Sequence, residues 1–482
     1  MKNVKERLIT APEIFFLSGT IVFGLLFVIL IPPFQIPDEL IHFTRAYEVS
    51  ELRVPQKHEV NDVNHLGSML PKSILKTYKS TSLYQIPGYP DVPPAKKYSI
   101  HDTKVALKIP LNKSDRMFFD TGSSPAYFPL LYIPQAVTIA ILQLFNTPVI
   151  VLLYATRVTG LVVWMLLICL AFKFVRPVGR KLPLAAILLL PMFISQASAS
   201  TDPLINGLTV VYLAMISNFI IRKVRPQPVH IAALVAILSL TTLSKPVYVL
   251  FGLLLFLLPK FLVGWKTILR STLLFSIPFI IYALWGGATK VSGAYFFDAI
   301  AVSGADPSSQ VHYLISNVTN FVQPLTNTLL LNWGDGIFTS LIGMFGKLDT
   351  PLPLLFIVLG YVIVFVALMG GVADKKAQKN DQEVIRHNVK SVVISILLVL
   401  GYIFGVYLAM YIASTPPQEK IITGVQGRYL LPLIPFGVLF AAKSCFVFRK
   451  RSSYEIFLLV APMILLLASV IVVFLRYYVK YP

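Results

Sequence analysis

Residues 13–33 read EIFFLSGTIVFGLLFVILIPP, an apolar run with a single acidic residue near its start. A helix of about 20 apolar residues spans the ~30 Å hydrocarbon layer of a bilayer. Comparable runs recur along the 482 residues, of which 56% are hydrophobic and 13% are charged. Because soluble proteins carry roughly a quarter of charged residues, this composition excludes a soluble globular protein. It predicts an all-α integral membrane protein of the cell membrane.

The apolar runs predict eleven transmembrane helices within one polytopic membrane domain, residues 1–482. Two long polar stretches, 34–126 and 289–350, interrupt the series as large loops, and the first is expected to hold interfacial helices. The predicted spans are 13–33, 148–174, 183–200, 204–221, 229–244, 246–263, 268–288, 351–371, 391–413, 429–447 and 454–475.

A further apolar segment, 127–145, decides on which side the loops lie. Pro129 and Pro134 remove backbone donors from it and disfavour a straight helix. If the segment does not cross, 22 lysines and arginines fall in short loops on one side and seven on the other, leaving out the first polar stretch. Since basic residues concentrate in cytoplasmic loops, this predicts a re-entrant or interfacial hairpin at 127–145. The N-terminus is then cytoplasmic, and the C-terminus and both polar stretches are extracytoplasmic.

The net charge of +20 does not indicate a nucleic-acid partner. The lysines and arginines form short clusters between apolar runs, as membrane topology requires. Cys169 and Cys445 both lie inside apolar runs, so they predict neither a disulfide framework nor a metal site. The partners that the composition favours are membrane lipids.

Four polar residues follow the first span closely. Asp38 and Glu39 lie directly after it, and Asp38, His42 and Arg45 have the spacing of one stripe of an amphipathic helix. Such a helix is expected to lie in the outer interface with its carboxylates toward a cavity. The alternative is that Asp38 only caps the helix. The adjacent Glu39 favours function, because a cap needs one carboxylate.

Three charged residues lie at or inside apolar spans. Asp202 precedes a proline, which also suits a helix N-cap. Lys245, between two short spans, either reaches to the interface or has an anionic partner. Arg157 lies about ten residues into its span and is expected to face the bundle interior or a water-filled cavity. Its partner is either an acid such as Asp202, which makes it structural, or a ligand phosphate.

A further polar motif, Gln426-Gly-Arg428-Tyr429, precedes one of the last predicted spans. An arginine and a tyrosine at the interface are often only a membrane anchor. Arginine is also the preferred bidentate ligand of a phosphate group. The motif therefore predicts either an anchor or an anion site.

These motifs together resemble a bacterial multi-pass membrane family of largely unassigned function that is grouped with the C-type (GT-C) glycosyltransferases. The resemblance covers about residues 13–475, and its most specific parts are the first and last motifs. The motifs are PFQIPDELIHFTRAY at 33–47, YFPLLYIPQ at 127–135, Asp202 with Asn206, Lys245-Pro246, FGKLDTPLP at 345–353 and QGRYLLP at 426–432.

The resemblance implies a GT-C-like fold and an extracytoplasmic transferase. Its donor is expected to be a sugar linked to polyprenyl phosphate, and its acceptor a cell-envelope glycan or lipid. Asp38 or Glu39 is expected to take the proton of the acceptor hydroxyl. Lys245, Arg428 and Arg157 are expected to bind the donor phosphate.

His42, Arg45, Asp202, Gln426 and Tyr429 are expected to support this site, and Asp202 matches the acid that such enzymes carry in the second outer loop. The sequence indicates no particular cofactor. Two acids at one membrane edge permit a divalent metal ion, although a monophosphate lipid donor gives less need for one. Two alternatives stay open: a transporter or flippase of a lipid-linked glycan, and a non-catalytic membrane subunit of an envelope synthase.

Overall fold

Helices make up most of the chain. The computed structural model describes residues 11–60, 63–81, 83, 97–120, 127–175, 178–195, 198–259, 265–291, 307–317, 319–331, 333–372, 389–440, 446–448 and 451–479. Its α-helices are α1 (Ala11–Leu30), α2 (Glu39–Ser50), α3 (Lys72–Thr81), α4 (Ile100–Leu107), α5 (Ile133–Gln143), α6 (Val149–Phe174), α7 (Lys181–Leu188), α8 (Pro191–Ser195), α9 (Asp202–Arg222), α10 (Pro228–Ser244), α11 (Trp265–Val291), α12 (Pro307–Ser316), α13 (Thr319–Leu331), α14 (Thr339–Ile342), α15 (Leu354–Met369), α16 (Val389–Ser414), α17 (Leu433–Phe440) and α18 (Arg451–Tyr478).

Short helical turns and strands complete the described chain. Turns of 3₁₀ helix cover Pro129–Tyr132, Val178–Arg180, Pro246–Leu257 and Gly427–Leu430, and a π-helical turn covers Trp333–Phe338. The strands are β1 (Gln56–Val60), β2 (Val63–Pro71), β3 (Arg116–Asp120), β4 (Met344–Phe345), β5 (Thr350–Pro351), β6 (Gly370–Val372) and β7 (Phe446–Phe448).

Six helices of the described chain are long and apolar enough to cross a membrane: α1, α6, α9, α11, α16 and α18. Shorter apolar helical segments lie at Pro129–Gln143, Pro228–Ser244, Pro246–Leu257, Leu354–Met369 and Gly427–Phe440. The prediction of a membrane protein made of helices is confirmed, whereas the predicted number of eleven spans stays a prediction.

The predicted span 183–200 differs in form from the expectation. Residues 183–200 contain two short helices, α7 and α8, and α8 begins at Pro191. Proline lacks a backbone N–H donor and cannot continue a helix from its preceding turn. Every residue from Leu184 to Leu190 is fully buried within the bundle. Neighbouring helices therefore surround this break, where irregular backbone at membrane depth is tolerated.

The first two long helices run antiparallel. Phe16, near the start of α1, packs edge-on against Trp164 and Phe172 in the second half of α6. Arg157, in the first half of α6, contacts the end of α1. The stretch between the end of α1 and the start of α6, which includes 127–145, therefore starts and ends at the same end of the bundle.

The predicted hairpin at 127–145 is corrected in its form. The structure has a 3₁₀ turn that continues into the single helix α5, with no returning limb before α6. The 11 residues of α5 extend about 16 Å, roughly half of the hydrocarbon layer. The length of α5 suits an interfacial or partly inserted helix. An interfacial segment was one of the two forms expected for 127–145.

Ion pairs mark the two ends of the bundle. At one end Lys181 Nζ lies 2.9 Å from Glu13 Oε1, which joins the starts of α1 and α7. At the other, Arg476 Nη2 lies 2.8 Å from Asp349 Oδ2, and Lys97 Nζ donates to the Arg476 carbonyl at 2.6 Å. We call the first the basic end, because Lys181 belongs to a cluster of lysines and arginines at 173–181. We call the second the loop end, because Lys97 belongs to the first polar stretch.

The first polar stretch contains a sheet that the sequence did not predict. Strands β1, β2 and β3 form an antiparallel sheet in that order, and Gly67 of β2 is paired with Asp120 of β3. A Cβ atom at Gly67 would lie 1.8 Å from the carbonyl oxygen of Phe119, so only glycine fits this approach. The sheet and helices α3 and α4 form the loop-end layer above α2 and α6.

Candidate functional site

Asp38 lies at the loop end, directly before α2, in a conformation that is uncommon for a side-chain-bearing residue. Its φ is 61° and its ψ is 10°, in the left-handed region, and its side chain makes no capping hydrogen bond. The capping alternative is therefore wrong. The carboxylate is 57% exposed and accepts from Arg428 Nη2 at 3.2 Å. Backbone strain held in place by its surroundings is frequent at functional sites.

Four charged side chains from four distant segments meet here. Lys245 Nζ donates to Asp202 Oδ1 at 2.9 Å, and Arg428 Nη1 lies 3.9 Å from Asp202 Oδ2. Asp38 completes the group through Arg428. We call Asp38, Asp202, Lys245 and Arg428 the charge cluster. Its two carboxylates and two cations are balanced, so the cluster is neutral as a set.

Local sequence places both cations. Lys245 ends α10 with extended backbone, and the following Pro246 prevents the helix from continuing. Arg428 lies in a short 3₁₀ turn that starts after Gln426. Gly427 permits this turn to approach α14, because a Cβ atom there would lie 2.3 Å from the backbone nitrogen of Leu341.

An aromatic ring lies beside both cations. Lys245 Nζ is 5.1 Å and the Arg428 guanidinium carbon 5.5 Å from the ring centroid of Tyr429. The Tyr429 carbonyl accepts from the hydroxyl of Tyr402 at 3.1 Å, which fixes the turn against α16. The predicted Gln426-Gly-Arg428-Tyr429 motif is therefore brought into the site, with Gln426 at the start of its turn.

Arg428 retains hydrogen-bonding capacity within the described structure. Its side chain is 11% exposed, and its buried Nε has no partner in the described chain. At 3.9 Å, the contact of Nη1 with Asp202 is too long for a hydrogen bond. A buried donor without an acceptor is costly, so this arginine is suited to receive an oxyanion from a ligand.

The contacts of Glu39 and Arg157 differ from the catalytic and phosphate-binding roles expected for them from the sequence. The Glu39 carboxylate accepts from Arg157 Nε at 2.7 Å and from Nη2 at 2.6 Å, and both side chains are fully buried. The remaining donors of Arg157 bind the carbonyls of Val28, Ile31 and Pro32 at 3.0, 2.6 and 2.9 Å. All five donors of the guanidinium are engaged. Glu39 is therefore unavailable as a base, and Arg157 is unavailable to a phosphate.

The Glu39–Arg157 pair is a clamp at the end of α1. The last carbonyls of a helix have no partner within it, and Arg157 supplies donors for those of Val28 and Ile31. Sequence reasoning foresaw a buried acid as one alternative partner of Arg157, and the acid is Glu39 rather than Asp202. The clamp fixes the chain on both sides of Pro37 and Asp38.

Arg45 also lies outside the charge cluster. It is 2% exposed, pairs with Glu48 and donates to the Tyr127 carbonyl at 3.4 Å, while Glu48 also accepts from Ser68. Two members of the predicted stripe, His42 and Arg45, both contact the segment 127–132, and α2 is buried on several sides. The expected position of α2 in an interface stays a prediction. Arg45 joins α2 to the sheet and to the segment before α5.

His42 lies one turn after Asp38 and contacts an aromatic residue that sequence reasoning did not single out. Its Nδ1 and the hydroxyl of Tyr132 are 2.7 Å apart. Burial lowers the pKa of His42 below its usual value of 6.5, and the carboxylates of Asp38 and Asp202 oppose that effect. The imidazole is consequently neutral at pH 7. The YFPLLYIPQ motif carried the signal for Tyr132, without indicating its partner.

No three His, Cys, Asp or Glu side chains of the described residues are grouped so that they could hold a metal ion. The charge cluster contains two carboxylates, which are paired with cations.

The sequence matches one family model, described as "Predicted membrane protein (DUF2142)", over residues 21–437. No curated protein and no solved structure matches the chain.

Proposed function

We propose, from the premise that this chain belongs to the DUF2142 family of membrane proteins, that it is an extracytoplasmic glycosyltransferase. It moves a sugar from a polyprenyl-phosphate donor to a cell-envelope glycan or lipid. The observation that carries this proposal is the charge cluster. Cations suited to a phosphate and a half-exposed carboxylate lie within ion-pairing distance at one end of an apolar bundle.

Lys245 and Arg428 are the proposed ligands of the donor phosphate. Arg428 has an Nε without a partner in the described chain, and Lys245 donates to Asp202. A phosphate that enters can bind both cations and displace part of their contact with Asp202. Because Asp202 stays beside them, it keeps the two cations close together when no substrate is bound.

Asp38 is the proposed base. Among the carboxylates at the site it is the accessible one, since Glu39 is fully buried and the Asp202 side chain is 13% exposed. A positioned carboxylate that takes a proton from an acceptor hydroxyl accelerates such a reaction roughly 10²–10⁴-fold. The Arg428 contact orients Asp38 toward the cations that bind the leaving group.

The proposed reaction is balanced by these groups. The acceptor oxygen forms a bond with the anomeric carbon as the bond between that carbon and the phosphate oxygen breaks. The acceptor proton passes to Asp38, and the bonding electrons stay on the phosphate. The lipid phosphate thereby gains a second negative charge, which Lys245 and Arg428 stabilise more strongly than the single charge of the donor.

The topology proposed for this function has eleven crossings, a cytoplasmic N-terminus and an extracytoplasmic C-terminus. Two observations support it. The Glu13–Lys181 pair brings a predicted cytoplasmic cluster to the start of α1, and the Lys97 contact brings the first polar stretch to the end of α18. A reporter fused after Pro482 is expected to be extracytoplasmic, and a cytoplasmic signal would contradict the proposed active face.

The catalytic proposal is tested in a strain from which the chromosomal gene has been deleted. Wild-type protein is expected to restore a sugar to the envelope glycan, whereas Asp38→Asn is expected to leave that sugar missing while the polyprenyl-phosphate sugar accumulates. Glu419→Gln, an exposed acid at the loop end, is the matched control and should behave as wild type. Full restoration by Asp38→Asn would contradict catalysis and favour a flippase or a non-catalytic subunit.

A further inference from the structure

A cavity lies between α10 and α11, in the half of the bundle that is away from the charge cluster. It measures about 460 Å³. Its lining is apolar apart from one serine and one arginine, and consists of Pro228, Ile231, Ala232, Val235, Ala236, Ser239, Arg270, Leu274, Ile277 and Ile281. Since α10 starts at Pro228 and ends beside Lys245, the cavity occupies the basic-end half of the two helices.

Small side chains create this cleft. Ala232, Ala236 and Ser239 recur at helical spacing along one face of α10, so the larger side chains of α11 do not fill the space between the helices. Helix α11 is also the least buried of the six candidate spanning helices, with 11% of its apolar window buried. The cleft is therefore open along its side, where a bilayer would lie.

The mouth of the cleft at the basic end carries a strong positive charge. Arg270 is part of the lining. The adjacent turn between α9 and α10 adds Arg222, Lys223 and Arg225, all exposed, and the sequences of this turn and of the start of α11 contain no acidic residue. Basic pockets between transmembrane helices on the cytoplasmic side favour anionic lipid head groups.

We infer that this cleft binds one anionic phospholipid. Its phosphate lies at Arg270, and one acyl chain fills the space between α10 and α11. From Pro228 to Ser239, α10 rises about 16 Å, roughly half of a ~30 Å hydrocarbon layer, which is the reach of a chain within one leaflet. The bound lipid joins α11 to α10. Its binding is independent of the function proposed for the charge cluster.

The inference is tested with purified protein in nanodiscs, in which phosphatidylglycerol competes with phosphatidylcholine and retained lipid is counted by native mass spectrometry. Wild type is expected to retain one phosphatidylglycerol selectively. Arg270→Met should weaken that binding about fivefold, the equivalent of one basic residue at a membrane surface. Arg270→Lys should bind within about twofold of wild type. Ala232→Trp should fill the cleft and reduce retention of the lipid.

Two matched controls separate the cleft from general lipid contact. Lys390→Met removes an exposed cation at the start of α16, and Leu400→Trp enlarges an exposed side chain on the same helix. Both should retain the lipid as wild type does. Equal retention of the two phospholipids by wild type would overturn the inference, as would unchanged binding by Arg270→Met. The Arg270 variants alter the mouth rather than the packed interior, so they test the inference even if Ala232→Trp misfolds.

Discussion

Breaking the clamp at the end of α1 is expected to produce the largest loss of stability of any single substitution considered. Arg157→Met removes five hydrogen bonds, two to Glu39 and three to the carbonyls of Val28, Ile31 and Pro32. It leaves a fully buried carboxylate without its partner, for which measured losses are about 3–5 kcal/mol. The abandoned carbonyls add to this, although relaxation and water recover part of their contribution. We expect the free energy of unfolding to fall by at least about 3 kcal/mol.

A double-variant cycle isolates the ionic part of this effect. Glu39→Leu alone leaves the Arg157 charge buried without a counter-ion and is expected to lose about 3–5 kcal/mol as well. The double variant Arg157→Met/Glu39→Leu leaves no buried charge and should lose less than the sum of the single variants by about 2–3 kcal/mol. The pair Lys72→Met/Asp115→Asn is the control, because the side chains of that ion pair are 45% and 37% exposed. It should show much weaker coupling.

Unfolding by denaturant in mild detergent, followed by tryptophan fluorescence, measures these differences. Trp164 is a suitable probe because it packs between Phe16 of α1 and Phe193 of α8, with ring centroids at 6.3 and 5.5 Å. Single variants within about 1 kcal/mol of wild type, a range typical of exposed pairs, would contradict a stabilising role of the clamp. Strict additivity of the two losses would contradict an ionic interaction between Arg157 and Glu39.

Three further predictions follow from the site. Asp38→Asn should lower the transfer rate about 10²–10⁴-fold while purified protein still binds decaprenyl phosphate, and a comparable loss of binding would contradict its assignment as the base. Because burial lowers the pKa of His42, the unfolded state binds more protons below about pH 6.5. Wild type should therefore lose thermal stability relative to His42→Gln as the pH falls from 7.5 to 5, and a constant difference would contradict the lowered pKa. Gly427→Ala should lower the thermal midpoint and weaken decaprenyl phosphate binding, because its Cβ atom would lie 2.3 Å from the Leu341 nitrogen. Gly287→Ala is the control, because a Cβ atom added there would meet no other atom within 4 Å.

Residue type and position beside an apolar span were enough to select the members of the charge cluster as candidates. Asp38 and Arg428 are 390 positions apart in the chain, and each was singled out as a polar group beside an apolar span. Ionisable groups are costly in a membrane protein unless they are paired or functional, which is why few candidates had to be considered. The same reasoning extended to Asp202 and Lys245, which form the closest ion pair of the cluster.

Pairing among the candidates could not be predicted, because charge type does not specify a partner. Glu39 and Asp38 are adjacent, yet a single turn of chain sends one into the clamp with Arg157 and the other to Arg428. The left-handed φ of Asp38 produces this divergence, and aspartate adopts that region only occasionally. No spacing rule anticipates it.

The irregular elements were missed for a different reason. Tertiary surroundings, rather than local pattern, decide where the α7–α8 break and the β1–β2–β3 sheet form. The break between α7 and α8 lies where Leu188 and Leu190 are fully buried among neighbouring helices. The sheet depends on pairing between Gly67 and Asp120, which are far apart in the sequence. Hydropathy reports how apolar a segment is and does not report which neighbours complete its backbone hydrogen bonds.

Binding of decaprenyl phosphate to purified protein measures directly whether the charge cluster is a lipid-phosphate site. We expect wild type to bind it, and Lys245→Met and Arg428→Met each to weaken binding about 10–100-fold, the equivalent of a lost hydrogen bond between charged groups. Lys420→Met, an exposed lysine at the loop end, should bind as wild type does. Equal affinity of wild type, Lys245→Met and Arg428→Met would contradict the assignment of the charge cluster as a lipid-phosphate site.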